Sequence, residues 1–402
     1  MFAKPFLGAM NGHIDGVYTL SKHPWNLDSI ISGSGDGEIR IWSLGRQECV
    51  WRTPNAHRGM VQGVCPVRGK TTDHFISVGS DKLVKVWSEK ESGLTADGHP
   101  EAIATYTAKD PLTGVDHHRT KQQFATSSSC VEIWDVNRSQ PLTTMEWGAD
   151  TVNTVRMNQT ETNVLASCGT DRTVILYDLR TDSPIVKVVM ALRTNAISWN
   201  PMEAFIFAAV SIANEDHNCY IFDMRRMNHA ANILKGHVSA VMDVDYSPTG
   251  EELVTASYDR SIRLWKAREG HSRDIYHTKR MQRVFCARFS MDDKYVVSGS
   301  DDGNVRLWKA RASERLGPVS TRERNALEYS EKLRERYQHL PEVRKIIKNR
   351  NVPQAIKKAA NTKWTMIQSQ KRKEENRRKH SKSDSVPHVS ERTKSILKVT
   401  SK

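Results

Sequence analysis

The most regular feature of this chain is a succession of short segments in which apolar and polar residues alternate. A clear example is 241–246, which runs into the turn sequence 247–250 and is followed by further short strands at 253–257 and 262–265. Alternation with a period of two is typical of half-buried β-strands, and Pro and Gly favour tight turns between them. The pattern therefore predicts short antiparallel strands joined by turns.

This strand unit recurs seven times between residues 1 and 310. An aromatic residue closes a short apolar run in each copy, and these aromatics are 43 to 47 residues apart, which matches the roughly 40–45-residue period of four-stranded propeller blades. An Asp precedes the aromatic by six positions in every copy except the third, which has Ser128. The aromatics are Trp42, Trp87, Trp134, Tyr177, Phe222, Trp265 and Trp308. The aspartates are Asp36, Asp81, Asp171, Asp216, Asp259 and Asp302.

The two ends of the repeated region indicate how a ring would close. Trp308 is followed directly by polar, helical sequence that offers no further strand, and an incomplete blade would leave an exposed edge. Residues 4–10 stand just before the first repeat and can supply the missing strand. We expect a propeller domain over residues 1–310, closed by the strand at 4–10, and a separate C-terminal domain over residues 311–402.

Helical spacing replaces strand alternation in residues 311–402. Ser320 and Glu323 form a capping box ahead of one helix, and Pro341 opens a second short one. A third helix is predicted from about 353 to 379, with a narrow apolar side. Such narrow stripes do not make an independent core, so these helices are expected to pack on a partner or along the propeller.

Charge separates the same two regions. The whole chain has a net charge of +14. Residues 311–402 contain 25 Lys and Arg against 10 Asp and Glu, a net charge of +15, whereas residues 1–310 contain 35 against 36, a net charge of −1. The basic excess therefore belongs to the tail, and it favours an anionic polymer as partner over a merely solvated helix end or a nuclear-import signal alone. The candidate phosphate-binding residues are Arg344, Lys345, Lys348, Lys371, Arg372, Lys373, Arg377, Arg378 and Lys379.

Composition and motifs exclude several classes of protein. No stretch approaches the roughly 20 apolar residues of a membrane span, and the N-terminus lacks a signal-peptide pattern. The six cysteines are scattered without a Cys-x-x-Cys pair, which predicts reduced thiols in an intracellular protein. Asp116-His117-His118 has no further ligands at a recognisable spacing, and no phosphate-binding loop or nucleophile elbow is present. We therefore expect no enzyme activity, no metal, no cofactor and no membrane partner.

The repeats resemble those of the WD-repeat family, whose blades carry Gly-His, an Asp in a turn and a closing Trp. In that family a His, a Ser or Thr, the Asp and the Trp form a hydrogen-bonded tetrad in each blade. The resemblance implies an all-β fold, a seven-bladed WD40 β-propeller, followed here by a basic α-helical tail, with histidines that are structural and not catalytic. The residues that match are His13, Asp36, Trp42, His57, Asp81, Trp87, His237, Asp259 and Trp265, together with Asp302 and Trp308.

Longer stretches are similar to one subgroup, the suppressor-of-fibrillarin-type WD-repeat proteins of the small-subunit processome. The resemblance covers essentially the whole chain. It is carried by residues 3–7, 114–118, 193–195, 199–205, 214–216, 237–241, 243–250, 276–282, 377–381, 385–387 and 389–391.

This resemblance implies a non-enzymatic nucleolar scaffold in ribosome biogenesis. Such a protein would join a small nucleolar ribonucleoprotein to pre-ribosomal RNA during small-subunit rRNA processing, with processome proteins docked on the ring. Two departures stand out. The chain starts almost at the closing strand, where the family carries a preceding segment, and the stretch 208–212 is longer than the family pattern, which predicts a distorted fifth blade.

A second resemblance points to a different role. Tyr177-Asp178-Leu179-Arg180 and Phe222-Asp223-Met224-Arg225 resemble the aromatic-Asp-x-Arg box by which some WD-repeat proteins dock on the adaptor of cullin-RING ubiquitin ligases. The third repeat has Trp134-Asp135-Val136-Asn137 and lacks the Arg. The alternative function is thus a substrate receptor of such a ligase, compatible with the first role. An ordinary Asp-Arg pair at the end of a strand fits these residues equally well. The predicted docking residues are Tyr177, Asp178, Arg180, Phe222, Asp223 and Arg225.

Overall fold

The computed structural model describes residues 4–68, 74–89, 93, 99–147, 150–211, 217–382 and 385–401. Three features of the sequence analysis lie outside that range: residue 3 of the stretch 3–7, the stretch 214–216 with its Asp216, and Ile212 at the end of the longer stretch in the fifth repeat. The side chain of Lys348 is also outside the description.

The described residues form seven antiparallel sheets arranged as the blades of a ring. The N-terminal strand is β1 (Phe6–Asn11). The first blade comprises β2 (Val17–Lys22), β3 (Ser29–Ser34), β4 (Ile39–Ser43) and β5 (Glu48–Thr53). The second comprises β6 (Val61–Pro66), β7 (His74–Gly79), β8 (Leu83–Ser88) and β9 (Ala104–Thr107). The third comprises β10 (Gly114–His117), β11 (Gln123–Ser127), β12 (Val131–Asp135) and β13 (Thr143–Met145).

The remaining blades continue in chain order. The fourth comprises β14 (Val152–Met157), β15 (Val164–Gly169), β16 (Thr173–Asp178) and β17 (Ser183–Met190). The fifth comprises β18 (Thr194–Trp199), β19 (Ile206–Ser211), β20 (Cys219–Asp223) and β21 (Asn232–Leu234). The sixth comprises β22 (Val241–Tyr246), β23 (Glu252–Ser257), β24 (Ile262–Lys266) and β25 (Ser272–Tyr276). The seventh contains β26 (Val284–Phe289), β27 (Tyr295–Ser300) and β28 (Asn304–Lys309).

The N-terminal strand supplies the outer strand of the seventh blade. Strand β1 pairs antiparallel with β28, with Met10 opposite Val305 and Asn11 opposite Asn304. The first strand of each blade also contacts the first strand of the next, including β26 against β2. The ring is therefore closed, and the seven-bladed propeller predicted from the repeats is confirmed.

The hydrophobic core lies between neighbouring blades. One cluster joins Trp308 and Val296 of the seventh blade to Leu264 of the sixth. Another joins Trp42 of the first blade to Val297 of the seventh. Six of the seven aromatic residues that mark the repeat are among the largest fully buried side chains, and the seventh, Trp87, is also buried, because each one fills the space between two sheets and excludes water from it.

Strand β19 of the fifth blade pairs with β20 without interruption from Ile206 opposite Asp223 to Val210 opposite Cys219. Its pairing with β18 shifts register between Thr194 and Ala196, as the corresponding strands do in five other blades. The described part of 208–212 therefore shows no distortion beyond the one that these blades share.

The tail contains four helices and one strand within the described residues. Ser320 caps α1 (Thr321–Arg336) by accepting a hydrogen bond from the Glu323 amide at 3.3 Å, as the capping box predicts. The others are α2 (Pro341–Lys348), α3 (Gln354–Lys379) and α4 (Glu391–Lys394). None of the helices in the described ranges is long and apolar enough to cross a membrane.

The end of the tail differs from the helical prediction. Strand β29 (Ile396–Ser401) adds to the fourth blade by pairing antiparallel with β17. Its β-branched residues suit an extended conformation, and the outer edge of β17 offers unpaired backbone groups that a strand can satisfy. The tail is thus helical up to Lys394 and ends as the fifth strand of a blade.

Candidate functional site

The second blade has a complete tetrad. The indole Nε1 of Trp87 donates to Ser77 Oγ at 2.8 Å, and Ser77 Oγ lies 2.7 Å from His57 Nε2. His57 Nδ1 lies 3.0 Å from Asp81 Oδ1. An ionised carboxylate can only accept, so His57 Nδ1 donates to Asp81. Burial lowers the pKa of His57, so its Nε2 carries no proton and accepts from the Ser77 hydroxyl, which in turn accepts from the indole. Both imidazole nitrogens are therefore occupied.

The sixth blade repeats this arrangement with Thr255 in place of the serine. His237 Nε2 lies 2.7 Å from Thr255 Oγ1, and His237 Nδ1 lies 2.8 Å from Asp259 Oδ2. Burial lowers the pKa of His237. Burial opposes ionisation of Asp259, yet the interaction with His237 and the hydrogen bond from Ser261 still hold the pKa of Asp259 below its usual value. The pair is a buried structural link between strands, with no free nitrogen to act as a base.

The first blade departs from the predicted tetrad. His13 Nε2 bonds Ser32 Oγ at 2.7 Å, but its Nδ1 has no hydrogen-bond partner among the described residues. Asp36 instead accepts from the backbone amides of Ile14 and Glu38, at 3.1 and 2.9 Å. The carboxylate nearest His13 Nδ1 belongs to Glu38, at 3.6 Å.

The surroundings of Glu38 explain this difference. Arg40 contacts one of its carboxylate oxygens at 3.0 Å, and Arg52 bonds the other. Burial and the charge of Arg40 lower the pKa of His13 to about 4. His13, Asp36 and Glu38 are close enough together to suggest a metal site. The two guanidinium groups already neutralise Glu38, so the cluster is an ion-pair network that repels a further cation.

The recurring Asp has a second role that does not need a histidine. Its carboxylate accepts a hydrogen bond from the backbone amide two residues later. The distance is 3.2 Å from the Leu83 amide to Asp81 and 3.1 Å from the Thr173 amide to Asp171. The intervening residue is in the left-handed region, with φ of 65° at Lys82 and Arg172. The carboxylate thus stabilises a tight turn that a non-glycine residue otherwise adopts at a cost, which explains why the Asp persists where the Gly-His pair is missing.

The remaining blades keep parts of the tetrad. Trp134 Nε1 donates to Thr126 Oγ1 and Trp308 Nε1 donates to Ser298 Oγ, each at 2.9 Å. In the seventh blade Asp302 bonds Arg306 and Ser300, not a histidine.

The two predicted docking boxes occupy equivalent positions in the fourth and fifth blades. Tyr177 and Phe222 are buried, and each is followed by an Asp at the end of the third strand. Asp178 Oδ1 accepts from the Arg180 amide at 2.9 Å. Asp223 accepts from the Arg225 amide at 3.0 Å and from two nitrogens of its guanidinium, at 3.1 and 3.0 Å.

The arginines themselves point into solvent. The exposed fraction of the side chain is 72% for Arg180 and 62% for Arg225. Arg225 also lies 4.5 Å above the Phe205 ring, a distance at which a cation–π interaction holds a guanidinium in place. The hydrogen bond from Arg225 lowers the pKa of Asp223. The fold therefore presents two ordered, exposed cations on adjacent blades, as a docking surface requires.

Most predicted basic residues of the tail are exposed. Arg378 is half-buried, and Lys371 forms an ion pair with Glu391 at 2.8 Å. Glu391 also contacts Lys235 of the propeller, and these two partners lower the pKa of Glu391 to about 2. The exposed candidates are Arg344, Lys345, Lys371, Arg372, Lys373, Arg377 and Lys379.

Sequence reasoning missed the contacts that fix the tail to the ring. Lys363 Nζ in α3 donates to the His237 carbonyl oxygen at 3.3 Å. Near the C-terminus, the Ala230 amide donates to the Arg392 carbonyl oxygen at 3.0 Å. Ile396 and Val399 pack against the core shared by the fourth and fifth blades. The one available signal was the three β-branched residues Ile396, Val399 and Thr400, which do not reveal the strand that the segment joins.

Comparisons with known proteins agree with both parts of this structure. A family model described as the Sof1-like domain matches residues 310–396. A model described as the WD domain, G-beta repeat, matches residues 4–43, 139–178, 229–266 and 270–309. Protein SOF1 of Saccharomyces cerevisiae is 47% identical over 420 residues, which cover 99% of this chain and 84% of that relative. The chain belongs to the Sof1-like family of WD-repeat proteins.

Other relatives of this Sof1-like protein carry a different name. The protein called DDB1- and CUL4-associated factor 13 in Xenopus laevis is 48% identical over 399 residues, covering 99% of this chain and 88% of the relative. Its Homo sapiens counterpart is 47% identical over the same length and coverage. Both family resemblances found in the sequence are therefore confirmed. The Sof1-like region begins where the propeller ends, and the structure shows its helices and terminal strand in contact with the ring.

Proposed function

We propose that this Sof1-like protein is a non-enzymatic nucleolar scaffold in ribosome biogenesis. Its tail contacts pre-ribosomal RNA, and its ring binds processome proteins and a small nucleolar ribonucleoprotein. The observation that carries this proposal is the placement of charge: a tail of +15 joined to a ring of −1, with most of the candidate basic residues exposed. Relatedness to Protein SOF1 supports it.

The contacts of the tail favour a defined RNA-binding surface over a solvated helix end. Lys363 and Glu391 link the tail to the propeller through hydrogen bonds and ion pairs. Helix α3 is therefore held at a fixed place on the ring, with Arg372, Lys373 and Arg377 exposed along it. Prearranged cations can contact several phosphates without ordering a long flexible segment first.

Crosslinking in cells followed by RNA sequencing tests the proposal. The test variant replaces Arg372, Lys373, Arg377 and Lys379 by Gln, and leaves Lys371 in place because it anchors Glu391. The control replaces four exposed cations of α1 by Gln, namely Arg322, Arg324, Lys332 and Arg334. We expect the test variant to lose pre-ribosomal RNA and small nucleolar RNA while the control retains them. Equal recovery by both variants would contradict the proposal.

We also propose a second role, that of a substrate receptor of a cullin-RING ubiquitin ligase. The ordered, exposed Arg180 and Arg225 on adjacent blades favour it. The relatives called DDB1- and CUL4-associated factor 13 support the same role. In this role the chain would bind the ligase adaptor and the substrate, while the chemistry would belong to other subunits.

Co-purification of the adaptor tests the receptor role. Replacing Arg180 and Arg225 by Ala should reduce adaptor recovery and leave RNA recovery unchanged. The matched control is Arg46→Ala, because Arg46 is an exposed arginine after the third strand of the first blade and lacks the box sequence. Loss of the adaptor with the control as well, or no loss with the double variant, would contradict this role.

We further propose a nuclear and nucleolar location for the protein, and a functional division at residue 310 into the propeller and the basic tail. The change in charge and the start of the Sof1-like match at this point support the division. Imaging of the fluorescently tagged full chain and of its Gln variant tests the location. The Gln variant should leave the nucleolus if RNA holds it there.

A further inference from the structure

A cavity of about 730 Å³ opens at the centre of the ring. Its lining includes residues from the end of the first strand, or from the loop after it, in all seven blades. The same side of the ring carries the ends of the third strands, because the first and third strands of a four-stranded antiparallel meander run in one direction. The cavity mouth is therefore on the face that presents Arg180 and Arg225.

The cations around this cavity are of two kinds. Lys22 pairs with Asp245 at 2.5 Å, and Arg288 pairs with Asp243 at 2.7 Å. These pairs link the first and seventh blades to the sixth, and Asp245 and Asp243 also accept hydrogen bonds from backbone amides of the seventh blade. Their charges are already balanced.

Three other arginines of the cavity form no such ion pair among the described residues. Arg68, Arg119 and Arg156 line the same cavity. Within the described ranges none of them lies within ion-pair distance of a carboxylate. Arg68 and Arg119 each donate to Gln159, Arg119 to its carbonyl oxygen at 2.8 Å. Arg156 donates to the Val115 carbonyl oxygen at 3.4 Å.

One acidic residue shares this part of the cavity, and it hydrogen-bonds backbone amides and not the arginines. Asp116 accepts the backbone amides of His117 and Met157, at 3.0 and 2.7 Å. Arg68 also has its Nε buried without a hydrogen-bond partner among the described residues. Guanidinium groups that bond only neutral oxygens retain their capacity to bind an anion.

The walls beside the arginines are apolar. Pro66, Pro201 and Pro248 line the cavity together with Trp25 and Met291. Trp25 is 62% exposed and Met291 is 40% exposed. Exposed large apolar side chains next to a concave site are typical of surfaces that bind a protein partner, and they exclude water from the arginines once the partner is seated.

We propose that this cavity binds an acidic segment of a partner protein, with a carboxylate on Arg68, Arg119 and Arg156 and an adjacent apolar side chain against Trp25 and the prolines. A carboxylate matches the planar fork of a guanidinium. The observations favour a peptide over RNA, because the ring has a net charge of −1 and gives a long polyanion no broad attraction. This inference goes beyond the proposed scaffold and receptor roles and depends on neither.

Selection from a random heptapeptide phage library on the full-length protein tests the site. Enriched peptides are then synthesised with a fluorescent label, and their affinity is measured by fluorescence polarisation. We expect enriched peptides to contain Asp or Glu beside an apolar residue, and Arg119→Ala to weaken their binding about tenfold or more. Arg119 is exposed, so this variant should fold, and its melting temperature verifies that.

The controls separate the possible occupants. Arg46→Ala removes an exposed arginine from the same face outside the cavity and should leave binding unchanged. Replacing the acidic residues of the peptide by their amides should abolish binding. The proposal is overturned if no acidic peptide is enriched, or if Arg119→Ala binds as well as the wild type. It is also overturned if a single-stranded oligouridine binds more tightly than the peptides and loses affinity in Arg119→Ala, which would make the cavity an RNA site.

Discussion

Val399 in the C-terminal strand lies directly opposite Val188 in the outer strand of the fourth blade. The pair belongs to a register that runs from Met190 opposite Ile396 to Val186 opposite Ser401. Val399, close to the end of the basic tail, is thereby fixed in the blade that carries the predicted docking residue Arg180. The tail and the ring form one connected structure.

Detaching this strand should free the end of the tail without unfolding the ring. Ile396 packs against the core shared by the fourth and fifth blades, so Ile396→Asp places a carboxylate in an apolar contact. We expect the hydrogen-exchange rate of the β17 amides to rise about tenfold or more. The melting temperature of the propeller should change little. Leu397 is 61% exposed, so Leu397→Asp is the matched control and should retain slow exchange.

Removing residues 391–402 should create a new self-association surface. Strand β17 then becomes a bare edge, because β29 no longer satisfies its backbone groups. We expect concentration-dependent dimers in sedimentation velocity, absent for the full chain. Adding Val189→Lys to the truncated protein places a charge on that edge, at a half-buried position outside the core, and should suppress them. A truncated protein that stays monomeric at all concentrations would speak against the role of β29 as an edge cover.

The tetrad hydroxyl of the sixth blade should contribute strongly to stability. Thr255 Oγ1 bonds both His237 Nε2 and Trp265 Nε1, at 2.7 and 2.8 Å. Thr255→Val leaves two buried polar groups without a partner, which costs about 2–4 kcal/mol of unfolding free energy. Urea unfolding measures the loss. The exposed helical Thr365 provides the comparison, and Thr365→Val should change stability far less.

Mild acid should destabilise the first blade through His13. Its pKa is about 4 in the folded protein, against about 6.5 in an unfolded chain. The unfolded state therefore binds more protons between these values. The stability that neutral His13 contributes is fully present above its pKa in the unfolded chain. This stability is lost progressively as the pH falls toward 4, and the loss is about 2 kcal/mol at about pH 5.

Urea unfolding between neutral pH and about pH 5 measures this dependence in the wild type and in His13→Gln. The variant should show a flatter pH dependence, because it removes the titrating group. His388 is exposed, so His388→Gln should leave the wild-type dependence intact. An identical pH dependence in wild type and His13→Gln would show that His13 is not the group responsible.

The repeat pattern predicted the propeller well because it reports local physics. Each recurring aromatic, such as Trp308, fills one gap between blades, and each recurring Asp, such as Asp81, stabilises one turn. Both therefore recur at the period of the blade. The helices of the tail were predicted from capping and spacing for the same reason: Ser320 and Pro341 act on their own neighbours.

Contacts between distant segments were not predictable in this way. The pairing of Glu38 with Arg40 and Arg52, which leaves His13 without Asp36, depends on side chains from two strands that meet only in the folded blade. Strand β29 likewise required knowledge of the edge it joins. The three arginines of the central cavity come from three blades and share no sequence motif, so only the closed ring brings them together.

The salt dependence of RNA binding tests the central claim, that the exposed cations of α3 bind RNA phosphates. The affinity of the full chain for a precursor fragment of small-subunit ribosomal RNA is measured at several salt concentrations. Replacing Arg372, Lys373, Arg377 and Lys379 by Gln should weaken binding and reduce the slope of log affinity against log salt by about 3. The α1 control at Arg322, Arg324, Lys332 and Arg334 should keep the wild-type slope. A slope that is unchanged in the α3 variant, or that falls equally in both variants, would contradict the account.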